Sequence, residues 1–284
     1  MRFLVAESEP PDARERRRAN VGRSSGETFR DLLLQLAPGA EVERATPADA
    51  DDEIPDRETL AGYDAVFLTG SPLHVYEDTP EARREIEFMR RVFASGTPSF
   101  GSCAGLQVAA AAAGGVVRSM GKRREAGITR RITPTDQGRA HPLLAGRAPA
   151  WDAITIHNDE VERLPDGALL LARNNETEVQ AAEIRMGPGV FWGVQYHPEL
   201  PLSDMAAALR RDADDLVEAG LVRDRAEVEL QSALLDALAR EPDRRDLRWR
   251  LGVDDELANR DRRSLELRNF IEHLVKPTMA GRGR

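Results

Sequence analysis

Residues 98–107 read Pro98-Ser99-Phe100-Gly101-Ser102-Cys103-Ala104-Gly105-Leu106-Gln107, a short apolar strand that leads directly into a helix. Cys103 stands at the turn, with a glycine two positions away on each side. In such a strand-turn-helix unit the central residue is held in a strained conformation, and its side chain is pushed out over the sheet. The helix N-terminus stabilises a thiolate over a thiol, and the thiolate is the nucleophile. The pattern therefore predicts that Cys103 is a catalytic nucleophile.

Cys103 is the single cysteine of the chain, so an intrachain disulfide is impossible and nothing indicates an oxidising compartment. A lone cysteine is more often an inert, buried apolar residue. Its placement between a strand and a helix is what favours the catalytic interpretation over that alternative.

Apolar runs on the N-terminal side of this turn predict a parallel sheet. Residues 3–6 and 65–68 are continuously apolar, as in strands that are buried on both faces. Ser24 or Ser25 is expected to cap a helix between them, and Thr79 and Pro80 to begin a second helix. The alternation of strands and helices predicts an α/β fold with helices on both faces of the sheet.

The chain changes character after this alternation. Residues 116–194 contain short β-like segments at 128–132, 154–156, 168–172 and 189–194, which we expect to complete the sheet and build its edge. Beyond residue 199 the apolar residues recur at helical spacing, with Ser203 as the expected cap of the first helix. The arginines at positions 14, 16, 17, 18 and 23 predict a solvated basic loop close to the active-site edge, and the alternative is a lid or a contact to an anionic acceptor.

His197 is the predicted base. It lies in Gly193-Val194-Gln195-Tyr196-His197-Pro198-Glu199, after an apolar strand and at its carboxyl end, where active sites gather in open parallel sheets. Residues two apart in extended chain point the same way, so Glu199 can accept the second ring hydrogen of His197. The alternative is a surface turn with an incidental His and Glu. His74, His141 and His273 are expected to be structural or surface residues, although His74 can line the pocket.

Composition and charge argue against nucleic acid, a membrane or a metal ion as the partner of this chain. The 284 residues carry a formal charge of −9, which gives no global reason to bind nucleic acid or an anionic membrane. The N-terminus lacks the apolar core of a signal peptide, no stretch approaches a membrane span, and we expect a cytoplasmic protein. The histidines are not spaced as metal ligands, and no phosphate-binding Gly-x-x-x-x-Gly-Lys-Ser/Thr loop is present.

Four segments together resemble the class I glutamine amidotransferase family, nearest to the glutaminase domain of GMP synthase. They are residues 101–107, residues 193–199, Thr69-Gly70-Ser71-Pro72-Leu73-His74-Val75-Tyr76 and Ile156-His157-Asn158-Asp159-Glu160-Val161. They occur in the order of that family and span roughly residues 1 to 200, which makes the resemblance far more specific than any one motif.

The resemblance implies a flavodoxin-like or Rossmann-like, mostly parallel sheet and a Cys103-His197-Glu199 triad that hydrolyses the side-chain amide of glutamine. It places the oxyanion hole at the backbone N–H groups of Ser71 and Ala104. Substrate binding is assigned to Gly70, Gln107, Ile156 and His157, with the backbone at Ile156 and His157 holding the α-carboxylate end of glutamine, and neither a cofactor nor a metal is implied. The chain departs from the family pattern at Ser71, Ile156 and Asn158, which puts substrate selectivity in question.

The family motifs divide the chain into an amidotransferase domain at residues 1–200 and a helical extension at residues 201–284, expected to hold no catalytic group. Three functions remain open. The first is a glutaminase that passes ammonia to a separate synthetase subunit, since no synthetase domain is evident. The second is a stand-alone hydrolase of γ-glutamyl compounds, which needs a roomier pocket, and the third is a non-catalytic homologue, against which the intact triad argues.

Overall fold

The computed structural model describes residues 1–121 and 123–283. Its strands are β1 (Arg2–Ala6), β2 (Glu41–Ala45), β3 (Ala65–Leu68), β4 (Ser99–Ser102), β5 (Val116–Ser119), β6 (Glu125–Pro134), β7 (Trp151–His157), β8 (Asp159–Arg163), β9 (Leu169–Arg173), β10 (Ala181–Met186) and β11 (Gly189–Val194). The first helices are α1 (Pro11–Val21), α2 (Ser25–Leu36), α3 (Arg57–Ala61), α4 (Pro80–Ser95), α5 (Ala104–Ala112) and α6 (Asp136–Ala140). The C-terminal helices are α7 (Leu202–Arg211), α8 (Ala213–Glu218), α9 (Arg225–Arg240), α10 (Arg245–Leu251), α11 (Asp255–Ala258), α12 (Arg260–Arg263), α13 (Leu265–Phe270) and α14 (Lys276–Gly281). A 3₁₀ turn at Pro142–Leu144 follows α6, and a π-helical segment at Ile271–Val275 joins α13 to α14.

Among the described residues, nine strands form one sheet in the order β2-β1-β3-β4-β11-β10-β9-β6-β7. Neighbouring strands from β2 to β11 in this order run parallel. From β11 to β7 the pairing becomes antiparallel. The predicted mostly parallel sheet is confirmed. Within residues 116–194, β6, β7, β9, β10 and β11 complete it and build one of its edges, whereas β5 and β8 pair in a separate two-stranded sheet.

Helices cover both faces of the sheet, as predicted. Successive side chains of a strand point to opposite faces, and β3 shows the result. Phe67 packs on one face against Phe270 of α13, with ring centroids 5.4 Å apart. Leu68, its neighbour, belongs to the core on the other face, together with Phe88 of α4 and Leu106 of α5.

The basic segment is not a loop, so the loop predicted for it is wrong. Helix α1 occupies most of it, and Pro11 suits the first helical position because the missing N–H of proline needs no acceptor there. Its arginines are paired rather than simply solvated. Arg14 contacts Asp49 at 2.5 Å, and Arg17 and Arg23 contact Asp204 of α7 at 3.2 and 2.9 Å.

The three predicted N-caps have different outcomes. Thr79 caps α4, and its side chain accepts from the N–H of Ala82. Ser24 caps α2 and forms a capping box with Glu27. Ser203 does not cap a helix, because α7 already begins at Leu202 after Pro201 and ends before Asp212.

The C-terminal helices form two groups. Residues of α7 to α11 build an apolar cluster that includes Ile154 of β7 and lies at the β6–β7 edge. Helix α13 and the π-helical segment instead return to the central sheet, where Leu267, Phe270 and Ile271 join its core. The boundary at residue 200 stays a prediction. No helix in residues 1–121 or 123–283 is long and apolar enough to cross a membrane.

Candidate active site

Cys103 occupies the turn between β4 and α5 with φ 53° and ψ −111°, a strained conformation for a residue with a side chain. Its N–H donates to the carbonyl of Val194 at 2.8 Å, which fixes the turn to the end of β11. A Cβ on Gly101 would lie 2.8 Å from the backbone of Gly105, and a Cβ on Gly105 would lie 2.8 Å from the carbonyl oxygen of Leu68. Both glycines are therefore required for the close approach of the strand, the turn and the helix.

His197 lies beside Cys103 at the end of β11. Its Nδ1 donates to Oε1 of Glu199 at 2.7 Å, and its backbone N–H donates to the carbonyl of Ile154 at 2.8 Å. Nε2 has no hydrogen-bond partner among the residues that the structure describes. A Cβ on Gly70 would lie 2.8 Å from Cε1 of His197 and 3.7 Å from Cβ of Cys103, so these three residues converge.

The charges around His197 favour its imidazolium form. Burial would lower the pKa of His197, but the negative charges of Glu199 and Cys103 outweigh burial and raise it. The arrangement thus supplies an oriented ring with one nitrogen tied to a carboxylate and the other available for proton transfer.

Ser102 adds a contact to this group that the sequence reasoning missed. Its Oγ donates to Oε1 of Glu199 at 3.0 Å, so this oxygen accepts from both Ser102 and His197. Oε2 of Glu199 is buried without a partner among the described residues. The one signal in the sequence is that Ser102 directly precedes Cys103, which does not reveal a contact across 97 positions.

The residues predicted to bind substrate also surround Cys103. Gln107 donates through Nε2 to the carbonyl of Asp159 at 3.0 Å. The carbonyl oxygen of Ile156 lies 3.8 Å from Sγ of Cys103. His157 is buried, with Nδ1 at 2.9 Å from the carbonyl oxygen of Asp159 and Nε2 at 3.1 Å from a carboxylate oxygen of Glu125.

A cavity of about 340 Å³ opens over Cys103. The predicted residues that line it are Gly70, Ser71, Cys103, Gln107, Ile156, His157, His197 and Glu199. Ala104 lies behind this lining with 1% of its surface exposed, and its backbone N–H begins α5, where the first N–H groups lack an acceptor within the helix.

The outer wall of the cavity was predicted only in part, through the arginines that the sequence analysis placed close to the active-site edge. It includes Glu9, Arg16 and Arg17 before and within α1, and Asp204, Arg211 and Asp212 within and after α7. The ion pairs of Asp204 with Arg17 and Arg23 hold the two helices together across the opening. These contacts join residues about 180 positions apart, so the local sequence pattern around either residue does not predict them. Among the described residues, no group of three His, Cys, Asp or Glu side chains is arranged to hold a metal ion.

Comparison with known proteins agrees with this architecture. The profile of the family described as glutamine amidotransferase class-I matches residues 30–214. A γ-glutamyl-L-1-hydroxyisopropylamide hydrolase of Pseudomonas sp. is 37% identical over 98% of this chain and 94% of its own length. A GMP synthase of Thiobacillus denitrificans is 35% identical, but the match covers 48% of this chain and 25% of that protein.

Solved structures show the same fold. A glutamine amidotransferase of Thermotoga maritima superposes with a TM-score of 0.64 at 17% identity, covering 97% of this chain and 98% of the other. A glutamine amido transferase of Methylobacillus flagellatus gives a TM-score of 0.62 at 20% identity and covers 96% of this chain and 94% of the other. At this identity the likeness concerns the fold alone. The profile match and the relative that shares nearly the whole length show that this chain belongs to the class I glutamine amidotransferase family.

Proposed function

We propose that this protein hydrolyses γ-glutamyl amides, in which the side-chain carboxyl group of glutamate is joined to a small amine. The observation that carries the proposal is the lining of the cavity. It includes residues of α1 and α7 in addition to Cys103 and His197, and we assign the substituent on the amide nitrogen, which glutamine does not have, to the side that these two helices form. The likeness to the Pseudomonas hydrolase over 98% of the chain supports the same substrate class.

The proposed reaction begins with attack of the Cys103 thiolate on the carbonyl carbon of the amide. The carbonyl oxygen becomes negative and accepts hydrogen bonds from the backbone N–H groups of Ser71 and Ala104. Nε2 of His197 donates its proton to the departing amine, which leaves a γ-glutamyl thioester on Cys103. Glu199 keeps the imidazole oriented throughout.

Water completes the cycle. It attacks the thioester carbon while His197 takes one of its protons, and the C–S bond then breaks to release glutamate and restore the enzyme. In this proposal Gly70, Gln107, Ile156 and His157 hold the glutamyl part of the substrate. No cofactor takes part, and we place the reaction in the cytoplasm, where a catalytic thiol stays reduced.

A second candidate is a glutaminase that delivers ammonia to a separate synthetase. It is favoured by the likeness to a glutamine-hydrolysing GMP synthase subunit of Ignicoccus hospitalis, which is 32% identical over 49% of this chain and 68% of that protein. The same site would then act on unsubstituted glutamine. The partner would be a protein that consumes ammonia.

Glutamate release from glutamine, γ-glutamyl methylamide and γ-glutamyl ethylamide separates the two candidates. We expect a higher kcat/KM for at least one substituted amide than for glutamine. A preference for glutamine over every substituted amide, and acceleration by a synthetase, would instead establish the second candidate.

The Cys103→Ala variant tests the shared chemistry. We expect it to lose at least about 1,000-fold in kcat while its circular dichroism spectrum is unchanged, because the covalent route is closed. Hydroxylamine should trap the thioester of the wild-type protein as γ-glutamyl hydroxamate. A variant with near wild-type turnover would show that Cys103 is not the nucleophile.

A further inference from the structure

The arginines that line the cavity differ in whether a carboxylate neutralises them. Arg17 is paired with Asp204 at 3.2 Å, and Arg211 with Asp212 at 2.7 Å. Arg124 also lines the cavity and is half-buried, but it forms no ion pair or hydrogen bond with any described residue. Its Nε is buried without an acceptor. A buried N–H that has lost water without gaining an acceptor is unfavourable unless a ligand supplies one, and no carboxylate of the described residues neutralises the charge of Arg124.

Arg124 lies beside the segment that approaches the nucleophile. It directly precedes β6, whose first residue, Glu125, pairs with His157 at the end of β7. Arg124 is thus next to the turn at Asn158, and both residues line the cavity that contains Cys103. Another lining arginine, Arg16, is exposed, and water can solvate it there.

The carboxylates near Arg124 accept hydrogen bonds from other residues. Glu125, Asp159 and Glu160 are the acidic residues closest to Arg124 along these paired strands, and each accepts from other side chains. The donors include His157, Thr177 and Gln180 for Glu125, His74 for Asp159, and Arg118 and Arg123 for Glu160. These bonds also fix the backbone that carries Arg124, so its guanidinium group is presented from a rigid strand end.

We propose that Arg124 binds the α-carboxylate of the γ-glutamyl substrate, in addition to the backbone at Ile156 and His157, to which the family resemblance assigns that group. The inference rests on the proposed function, because in a γ-glutamyl amide the scissile group is neutral and the α-carboxylate is the anion. The planar guanidinium group can donate two parallel hydrogen bonds to a carboxylate, which a point charge cannot do. The substrate class is therefore restricted to γ-glutamyl amides with a free α-carboxylate.

The test compares wild type, Arg124→Met and Arg124→Lys on γ-glutamyl ethylamide and on its α-methyl ester. Arg123→Met is the matched control, since Arg123 is adjacent, 50% exposed and paired with Glu160. We expect Arg124→Met to raise KM for the free acid by about 10- to 100-fold, with kcat changed less than about threefold, as for loss of a bond to a charged group. Arg124→Lys should recover part of the affinity, and Arg123→Met should stay within about twofold of wild type.

Discrimination between the two substrates is the sharper readout. Wild type should prefer the free acid over the ester, and Arg124→Met should lose that preference. If the substitution only unfolded part of the protein, the molecules that remain active would keep the preference. Glutamate binding, measured by calorimetry, adds a readout that does not need turnover, and Arg124→Met should weaken it by the same factor. Suppose that the wild type hydrolyses γ-glutamyl amides, but that Arg124→Met keeps the wild-type KM and the preference for the free acid. The role assigned to Arg124 is then wrong, and the proposed function is unaffected. A wild-type protein that neither hydrolyses γ-glutamyl amides nor binds glutamate would overturn the proposed function and this inference together.

Discussion

The strained backbone of Cys103 is maintained by its neighbours. Gly101 and Gly105 leave no room for a Cβ, and the N–H of Cys103 is bonded to the carbonyl of Val194 at 2.8 Å. A residue at φ 53° costs on the order of 1 kcal/mol or more, and it persists only where the surroundings determine it. Cys103 lines the cavity, and the N–H of Ala104 lies at the start of α5, where our proposal places the oxyanion hole.

Ser102 provides a prediction at this scale. Ser102→Ala removes the hydroxyl group that donates to Oε1 of Glu199 at 3.0 Å, so the carboxylate loses one of the two groups that orient it. We expect kcat to fall by about tenfold and KM to stay nearly constant, because the hydrogen bond acts through Glu199 and His197 and does not contact substrate. Steady-state kinetics on a γ-glutamyl amide would measure both parameters.

Ser99→Ala is the control for Ser102→Ala. Ser99 is in the same strand and is 1% exposed, but its Oγ lies 3.4 Å from the carbonyl oxygen of Val190, remote from the triad. It should keep wild-type kinetics. Equal losses of kcat in the two variants would mean that β4 tolerates no substitution, and that Ser102 has no particular role.

The site was predictable where its residues are local. The motif around Cys103 and the pair His197 and Glu199 are contiguous in sequence, and strand geometry alone predicts that the latter two lie side by side. Ser102 and Arg124 were missed for different reasons. The contact of Ser102 needs the register of β4 against β11, and Arg124 becomes conspicuous only when the carboxylates around it are seen to be engaged elsewhere.

At the scale of elements, the continuously apolar strands were predictable, whereas β2, which is exposed, and β10, which is buried but carries a glutamate and an arginine, were not. Residues 3–6 and 65–68 are continuously apolar and lie in β1 and β3, whereas β2 at the sheet edge has the sequence Glu-Val-Glu-Arg-Ala and is mostly exposed. Backbone hydrogen bonds to β1 hold β2 in the sheet, rather than the burial of its side chains. Helix α1 was missed for a related reason, since its arginines are stabilised by distant acids and not by a local apolar stripe.

Helix α4 provides a prediction about pH. Glu85 is fully buried in it and accepts a hydrogen bond from Ser8 at 2.9 Å, and burial raises the pKa of Glu85 from 4.5 to about 7. Folding therefore takes up a proton between these two values, and this group makes the folded state less stable as the pH rises from 4.5 to 7. Above pH 7 the folded state carries the full cost of a buried charge, on the order of 3 kcal/mol.

Glu85→Gln should remove this effect, since the amide has the same shape and stays neutral. We expect the variant to be more stable than wild type at pH 8, with little difference at pH 4.5, in urea unfolding at both pH values. Glu87→Gln on the same helix is the control, because Glu87 is 46% exposed and paired with Arg91. The same change in unfolding free energy at both pH values would show that Glu85 does not titrate in this window.

At the scale of the whole molecule, the C-terminal helices serve two different parts of the fold. Those from α7 to α11 lie at the β6–β7 edge, and α7 also forms part of the cavity wall. Helix α13 covers the central sheet, and its Glu266 accepts from Tyr196, the neighbour of His197, at 2.6 Å and from the buried Arg147. Apolar spacing predicts that such helices must cover a surface, but it does not say which one.

Truncation tests the expectation that residues 201–284 are an extension separable from the catalytic unit. A chain that ends at Gly220 loses α13 and the π-helical segment, and it uncovers Phe67, Phe100 and Trp192 on the sheet. The lost segment contributes the buried residues Leu267, Phe270, Ile271 and Val275. Each buried apolar side chain of this size stabilises by about 1.5 to 3 kcal/mol, so their sum is comparable with the whole stability of a typical domain, about 5 to 15 kcal/mol. We therefore expect the truncated chain to be insoluble or to lack a cooperative unfolding transition.

A chain that ends at Val275 is the control, because α14 contains no buried residue, and it should fold and keep its turnover. Phe270→Ala, which costs about 3 to 5 kcal/mol, should lower the unfolding midpoint of the full chain. If the chain that ends at Gly220 folds cooperatively and hydrolyses its substrate at the wild-type rate per molecule, the sheet does not need α13, and residues 221–284 are separable from the catalytic unit.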